Sequence, residues 1–207
     1  MKSLLTILMA CSIVFSSCTK EHQEHEMKQD SCCKPGEKKS ATAEEKKESY
    51  YDIEGLSYTD DNGVAFQLSS LKNNYVFVSM VFTNCAYACP RIAENIIALE
   101  KAVGKPAKVL LVSFDPKRDT PKRMKEFLKE KNAGDNWRII TSNSDIVRQT
   151  SMLFDISFKE LETGDFSHEN VILLLDKQGR EIKRIEGLTF DIQQEASEIL
   201  HLMEQSK

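Results

Sequence analysis

"NYVFVSMVFTNCAYACP", residues 74–90, opens as a nearly continuous apolar, β-branched and aromatic run and ends in two cysteines. Such a run reads as a strand buried on both faces. Cys85 and Cys89 have three residues between them. That spacing is not the C-x-x-C of a thioredoxin-type redox pair, and the stretch lacks the four ligands of a structural zinc site. After Pro90, the residues Ile92, Ile96, Ile97, Leu99 and Val103 fall near helical spacing, and Gly104 stands where a C-cap would. Cys85 is therefore expected just past the carboxyl end of a buried strand, with Cys89 in the first turn of the next helix. Open α/β sheets gather ligands at that edge, and the unpaired N–H groups of a helix start favour thiolates. Soft metals bind thiolates. Sulfurs four positions apart share one face of the turn, so they could close to a disulfide or hold one ion between them.

On either side the chain alternates between strands and helices. "LSYTDDNGVAFQLSSL", residues 56–71, reads as a hairpin about the Asp61–Gly63 turn. "KVLLVSF" (108–114) is a second buried strand, and "DTPKRMKEFLKEK" (119–131) is a helix with Thr120 as N-cap and Pro121 at its first position. "WRIIT" (137–141) is a third strand, "SDIVRQTSMLF" (144–154) a helix capped by Ser144, and residues 170–187 two strands around a turn at Gln178 and Gly179. A last amphipathic helix is expected over 189–204. This order predicts an α/β, thioredoxin-like domain: a central mixed β-sheet flanked by helices, with an N-terminal β-hairpin.

The N-terminus has another character. "MKSLLTILMACSIVFSSCTKE", residues 1–21, carries Lys2, an apolar stretch from Leu4 to Phe15, and Ser16 and Ser17 before Cys18. It reads as a signal peptide over 1–17, too short and too interrupted for a membrane span of about 20 residues. A small residue before such a cysteine resembles the lipobox of bacterial lipoproteins, with Cys18 as the lipidated residue; ordinary secretion with cleavage nearby is the alternative. Residues 18–49 hold few apolar side chains and read as a disordered tether to a domain spanning 50–207. His22, His25, Met27, Cys32 and Cys33 crowd into this tether, which is either a plain spacer or a metal-collecting arm. Export places the domain in the periplasm or another extracytoplasmic space, where thiols must be kept reduced or protected. With Lys+Arg 28 against Asp+Glu 32 and a formal net charge of -4, nothing favours a nucleic-acid partner.

Two sulfurs leave a soft-metal shell incomplete, and only two histidines lie in the domain. His201 falls beside apolar positions of the last helix, as a surface or packed residue would. His168, in "ETGDFSHENVILLL" (162–175), enters the strand near Val171, and thioredoxin topology brings that loop against the cysteine turn. No proline lies between Gly164 and Val171, so the cis-proline substrate-docking element of a generic thioredoxin is missing.

"FTNCAYACP" (82–90), "VSFDPKRDTP" (112–121) and "SHENVILLLDKQG" (167–179) together resemble the Sco/SenC family, thioredoxin-fold proteins associated with copper delivery to cytochrome c oxidase. The likeness runs from about Tyr51 to Met203. It implies copper, Cu(I) or Cu(II), held by Cys85, Cys89 and His168. It implies as partners the copper-binding subunit of apo cytochrome c oxidase and other copper carriers. Asp115 resembles a carboxylate that orients such a site, although Asp115 and Asp119 are also placed as helix-start caps. The chain departs from the family pattern at Ala86, where a proline is usual, and at Ser167, where an aspartate is usual; Asp165 and Glu169 are the candidate substitutes for the latter. A second function fits the same residues: a thiol-disulfide reductase in which Cys85 and Cys89 act on the oxidase's copper-site cysteines. Neither cysteine sits in a Thr-x-x-Cys pattern, which argues against a peroxide-reducing enzyme.

Overall fold

The structure is a computed structural model describing residues 48–206. The leader, Cys18 and the tether residues His22, His25, Met27, Cys32 and Cys33 lie outside the described residues.

Alternating apolar strands and capped helices give the order β1 (Tyr58–Asp60), β2 (Ala65–Phe66), β3 (Val76–Val81), α1 (Ala88–Val103), β4 (Lys108–Ser113), α2 (Pro121–Glu130), β5 (Trp137–Thr141), α3 (Ser144–Leu153), β6 (Phe158–Glu160), β7 (Phe166–His168), β8 (Val171–Leu175), β9 (Glu181–Glu186) and α4 (Ile192–Gln205). Seven strands form one mixed sheet in the order β2-β1-β5-β4-β3-β8-β9. The expected thioredoxin-like architecture and N-terminal hairpin are both present. In that hairpin the Asp60 carboxylate accepts from Asn62 N–H at 2.9 Å and Val64 N–H at 2.8 Å, closing the turn before β2.

All six residues of β3 and all five of β8 are buried. Successive side chains of a strand point to opposite faces, so both faces of the sheet are covered. Helices α1 and α4 pack side by side, and α2 lies against β5. Strand β3 runs parallel to β4 and antiparallel to β8. The antiparallel pair aligns Val76 with Leu175 and Val78 with Leu173, and stops there. One residue on, the Ser79 hydroxyl donates to Val171 O at 2.6 Å. The end of β3, which leads to the cysteines, therefore lies at the same edge as the start of β8, which follows His168.

Helix ends follow local chemistry. Thr120 Oγ1 accepts from Arg123 N–H at 3.3 Å with Pro121 first in α2, as expected. The cap of α3 is Asn143 rather than Ser144: its side-chain Oδ1 accepts from Asp145 and Ile146 N–H at 3.0 Å each, and Ser144 is the first helical residue. Asp191 caps α4, which starts at Ile192 because this carboxylate competes for the first-turn N–H groups. Gly104 closes α1 in the left-handed conformation, φ 62°. Gly179 has φ 82°, and a Cβ there would sit 2.5 Å from the Tyr51 ring, so the β8–β9 turn requires glycine.

The hairpin β6–β7 was not expected; residues up to His168 read as a loop. It forms a separate two-stranded sheet, with Phe158 opposite His168 and Glu160 opposite Phe166. Its three-residue strands are too short and too polar to show a period-2 pattern. No helix among the described residues is long and apolar enough to cross a membrane.

Candidate metal centre

The sulfur half of the site is built where β3 hands over to α1. Thr83, just past the strand, is buried, and its N–H and hydroxyl both donate to the Asp119 carboxylate, at 3.0 and 2.5 Å. Ser113 Oγ donates to the same carboxylate at 2.6 Å, and Arg123 Nη2 donates to Thr83 O at 3.0 Å. Cys85 N–H closes a turn onto Phe82 O at 3.2 Å, so the turn forms with Ala86 in the usual proline position. Helix α1 has Tyr87 at its N-cap position with no side-chain cap bond. In its place Cys89 N–H donates to Cys85 Sγ at 3.4 Å, and Phe82 N–H donates to Cys89 Sγ at 3.4 Å. The helix start is thus capped by sulfur, and its free N–H groups and dipole favour negative charge there.

The two sulfurs are not equivalent. Cys85 is half-buried and its pKa is brought down to about 4, chiefly by the hydrogen bond from the Cys89 thiol and also by the backbone N–H groups of Cys89 and Tyr87. Cys89 is fully buried; burial pushes its thiol well above the ordinary range, and the neighbouring Cys85 sulfur and Asp119 charge push it the same way. The helix start predicts thiolate character at both. Only Cys85 has it, because desolvation outweighs the helix start at Cys89. Both cysteines are free thiols rather than a disulfide.

The imidazole half comes from the end of β7. His168 Nδ1 lies 2.9 Å from Glu169 O, a backbone acceptor that fixes the proton on Nδ1 and leaves the Nε2 lone pair toward the sulfurs. Nε2 is 3.7 Å from Cys89 Sγ. The ring packs against Phe114 and Phe82, with centroids 5.1 and 6.2 Å apart. Phe158 stacks on Phe114 at 5.1 Å, and Phe166 joins both Phe82 and Phe114. One ligand atom each from Cys85, Cys89 and His168 thus lies within 4.8 Å of the others.

The remaining sequence candidates take other places. Asp165 accepts from Phe166 N–H at 2.9 Å and the Glu169 carboxylate from Ser157 N–H at 2.7 Å, so neither side chain substitutes for the missing aspartate; the Glu169 carbonyl does. Asp115 is buried and paired with Arg118, whose guanidinium lies over the Phe82 and Phe166 rings at 5.8 and 5.6 Å. Of those two rings Phe82 packs on His168, so the link from Asp115 to the imidazole is indirect. Asp119 is not a helix cap, a role Thr120 fills; it clamps the turn before Cys85, and burial pushes its pKa up. The signal that could have found it is the pair of small hydroxyl residues, Thr83 and Ser113, at the ends of two buried strands. His201 is exposed on α4, 2.8 Å from Gln205 Nε2.

The SCO1/SenC family model matches residues 45–204. The chain belongs to the SCO1/SenC family. The SCO1 protein homolog of Bacillus subtilis (strain 168) is 28% identical over 145 residues, covering 67% of this chain and 75% of that protein. The crystal structure of Arabidopsis thaliana ScoI with copper bound matches with a TM-score of 0.67 at 18% identity, over 72% of this chain and 96% of that one. BsSco, a member of the Sco family of cytochrome c oxidase assembly proteins in which a disulfide switch is identified, matches with a TM-score of 0.64 at 23% identity, over 76% of this chain and 95% of that one. At those identities the two structures establish the fold.

Proposed function

We propose that this SCO1/SenC chain binds one copper ion through Cys85, Cys89 and His168 and delivers it to the copper-binding subunit of a cytochrome c oxidase. The observation that carries the reading is the convergence of two sulfurs and one imidazole nitrogen within 4.8 Å. Two thiolates and an imidazole suit Cu(I) and also hold Cu(II), and a shell of three ligands leaves room for an incoming ligand from an acceptor. Copper is cargo here, passed by ligand exchange. The copper-bound ScoI structure and the assembly role of BsSco support both the ion and the destination. The chain is exported and lipid-anchored at Cys18, with residues 18–49 as the tether and 50–207 as the copper-binding domain; the leader pattern of residues 1–21 supports this placement.

Anaerobic Cu(I) titration of the reduced full chain tests it. One tight equivalent is expected that disappears in Cys85→Ser and Cys89→Ser; failure to bind near one equivalent, or binding indifferent to these cysteines, sinks the copper reading.

The asymmetric pair favours a second activity. An accessible thiolate at Cys85 beside a buried thiol at Cys89 is the arrangement of an attacking and a resolving sulfur. In that reading the dithiol reduces the acceptor's cysteines before copper enters. Rapid reduction of a model disulfide by the metal-free chain, lost in Cys85→Ser, supports it, and an inert dithiol rejects it.

A further inference from the structure

A groove of about 480 Å³ runs between β6 and α3, lined also by the 115–117 turn. Its floor is apolar: Phe114, Val147, Phe158 and Phe166. Three of these four belong to one ring cluster, in which Phe114 packs on His168 and Phe158 and Phe166 pack on Phe114, so whatever fills the groove touches the cluster that holds the candidate ligand. Met152 stands at its wall 72% exposed, an adaptable apolar side chain left in water.

The charges of the groove are lopsided. Asp115 is taken up by Arg118, and Glu160 by Lys117 at 3.2 Å. Arg148 and Lys159, both exposed and both lining the groove, have no carboxylate partner among the described residues. A local excess of cations on a chain whose formal net charge is -4 marks this face as complementary to an acidic partner. The backbone adds a third element. Strand β6 belongs to a sheet of two strands, and Phe158, Lys159 and Glu160 all line the groove, which therefore follows β6 on the side facing α3. An edge strand facing a helix across an apolar gap is a template for strand addition, with main-chain bonds for affinity and alternate side chains for specificity.

We infer that this groove seats an extended, acidic segment of the protein that receives copper, added as a third strand beside β6 with an apolar side chain on the phenylalanine floor. The inference rests on the copper-delivery reading above and names the partner's chemistry at the same site. Seated there, the acceptor brings its own thiols to the edge of the Cys85–Cys89–His168 site. Transfer is then ligand exchange without a redox change: the bonds from copper to His168, Cys85 and Cys89 break as Cu–S bonds to the acceptor form. The protons released by the acceptor's thiols pass to the sulfurs freed on this chain or to solvent.

The test uses the full chain and two synthetic peptides, Glu-Val-Phe-Val-Asp-Glu and its counterpart with lysine at the three acidic positions, each also made with a terminal Cys-Gly-Cys. Fluorescence anisotropy should show the acidic peptide bound and the basic one not, with amide shifts at Phe158 and Glu160. Arg148→Glu/Lys159→Glu should reverse the preference, and Met152→Glu should weaken binding of the acidic peptide. The thiol-bearing acidic peptide should draw Cu(I) from the loaded chain about 10-fold faster than the basic one, an advantage lost in the charge-reversed chain. Equal binding of the two peptides, no binding of either, shifts confined to another face, or a groove already filled by a second copy or by the chain's own residues 1–47 would each overturn the inference. Copper titration of the same variants separates the two claims. Normal copper binding with no peptide preference rejects the groove alone; peptide binding by a chain that takes no copper rejects copper delivery and leaves an acidic-peptide site.

Discussion

The two halves of the candidate centre are built to different standards. The sulfur half hangs from β3 in the interior of the seven-stranded sheet, with Cys89 fully buried and the preceding turn clamped by Asp119 and Arg123. The imidazole half hangs from a hairpin of two three-residue strands, and His168 is oriented by one carbonyl and a set of rings. Local opening costs least where burial and long-range pairing are least. On the proposed copper reading, the contrast predicts which ligand lets go: the sulfurs would hold the ion, while the histidine side would yield when an acceptor arrives.

The harshest way to break this contrast is to remove ligands one at a time. Cys85→Ser or Cys89→Ser should abolish tight copper binding, whereas His168→Ala should keep about one equivalent with affinity lowered some 10- to 100-fold, as chelator competition would read. Equal losses on both sides would erase the distinction. Next in size is the ring cluster. Phe114→Ala should cost about 3–5 kcal/mol of stability in urea melts, because the ring is buried between sheet and hairpin. Amide exchange should show the residues of β7 opening well before those of β3; simultaneous exchange would mean the hairpin is no looser than the core. Asp119→Asn should cost about 1.5–3 kcal/mol by weakening the charged acceptor of Thr83 and Ser113, and should disturb Cys85 reactivity more than the His168 resonance.

A pH dependence is confined to the sulfur half. A Cys85 pKa near 4 in the fold, against an ordinary thiol value of 9.0, contributes stability that is complete above the ordinary value. It declines as pH falls through that interval and is gone below about 4. Cys85→Ser should remove this slope, and alkylation of Cys85 should stay fast down to about pH 5 while Cys89 stays protected. With Cys85 already ionised, copper binding near neutral pH should release about one proton rather than two, readable by calorimetry in two buffers.

Much of this was legible in the sequence because it is written in strong local signals. The run at 76–81, Thr120 before Pro121, and Gly104 after an apolar helical stripe each specify one structure. Placement of Cys85 and Cys89 followed from those signals alone. The hairpin was not legible, because three-residue strands carry no period; nor was the inequality of the thiols, since burial at Cys89 depends on strands distant in sequence. Asp119 was read as a local cap because its true partners, Thr83 and Ser113, meet it only through the parallel pairing of β3 and β4.

X-ray absorption at the copper edge tests the central claim most directly, using the full chain carrying Cys32→Ser and Cys33→Ser and loaded with one equivalent of Cu(I). A first shell of two sulfurs and one nitrogen is expected, reduced to two sulfurs in His168→Ala. A shell unchanged by that substitution, or one without two sulfurs, would contradict a centre made of Cys85, Cys89 and His168.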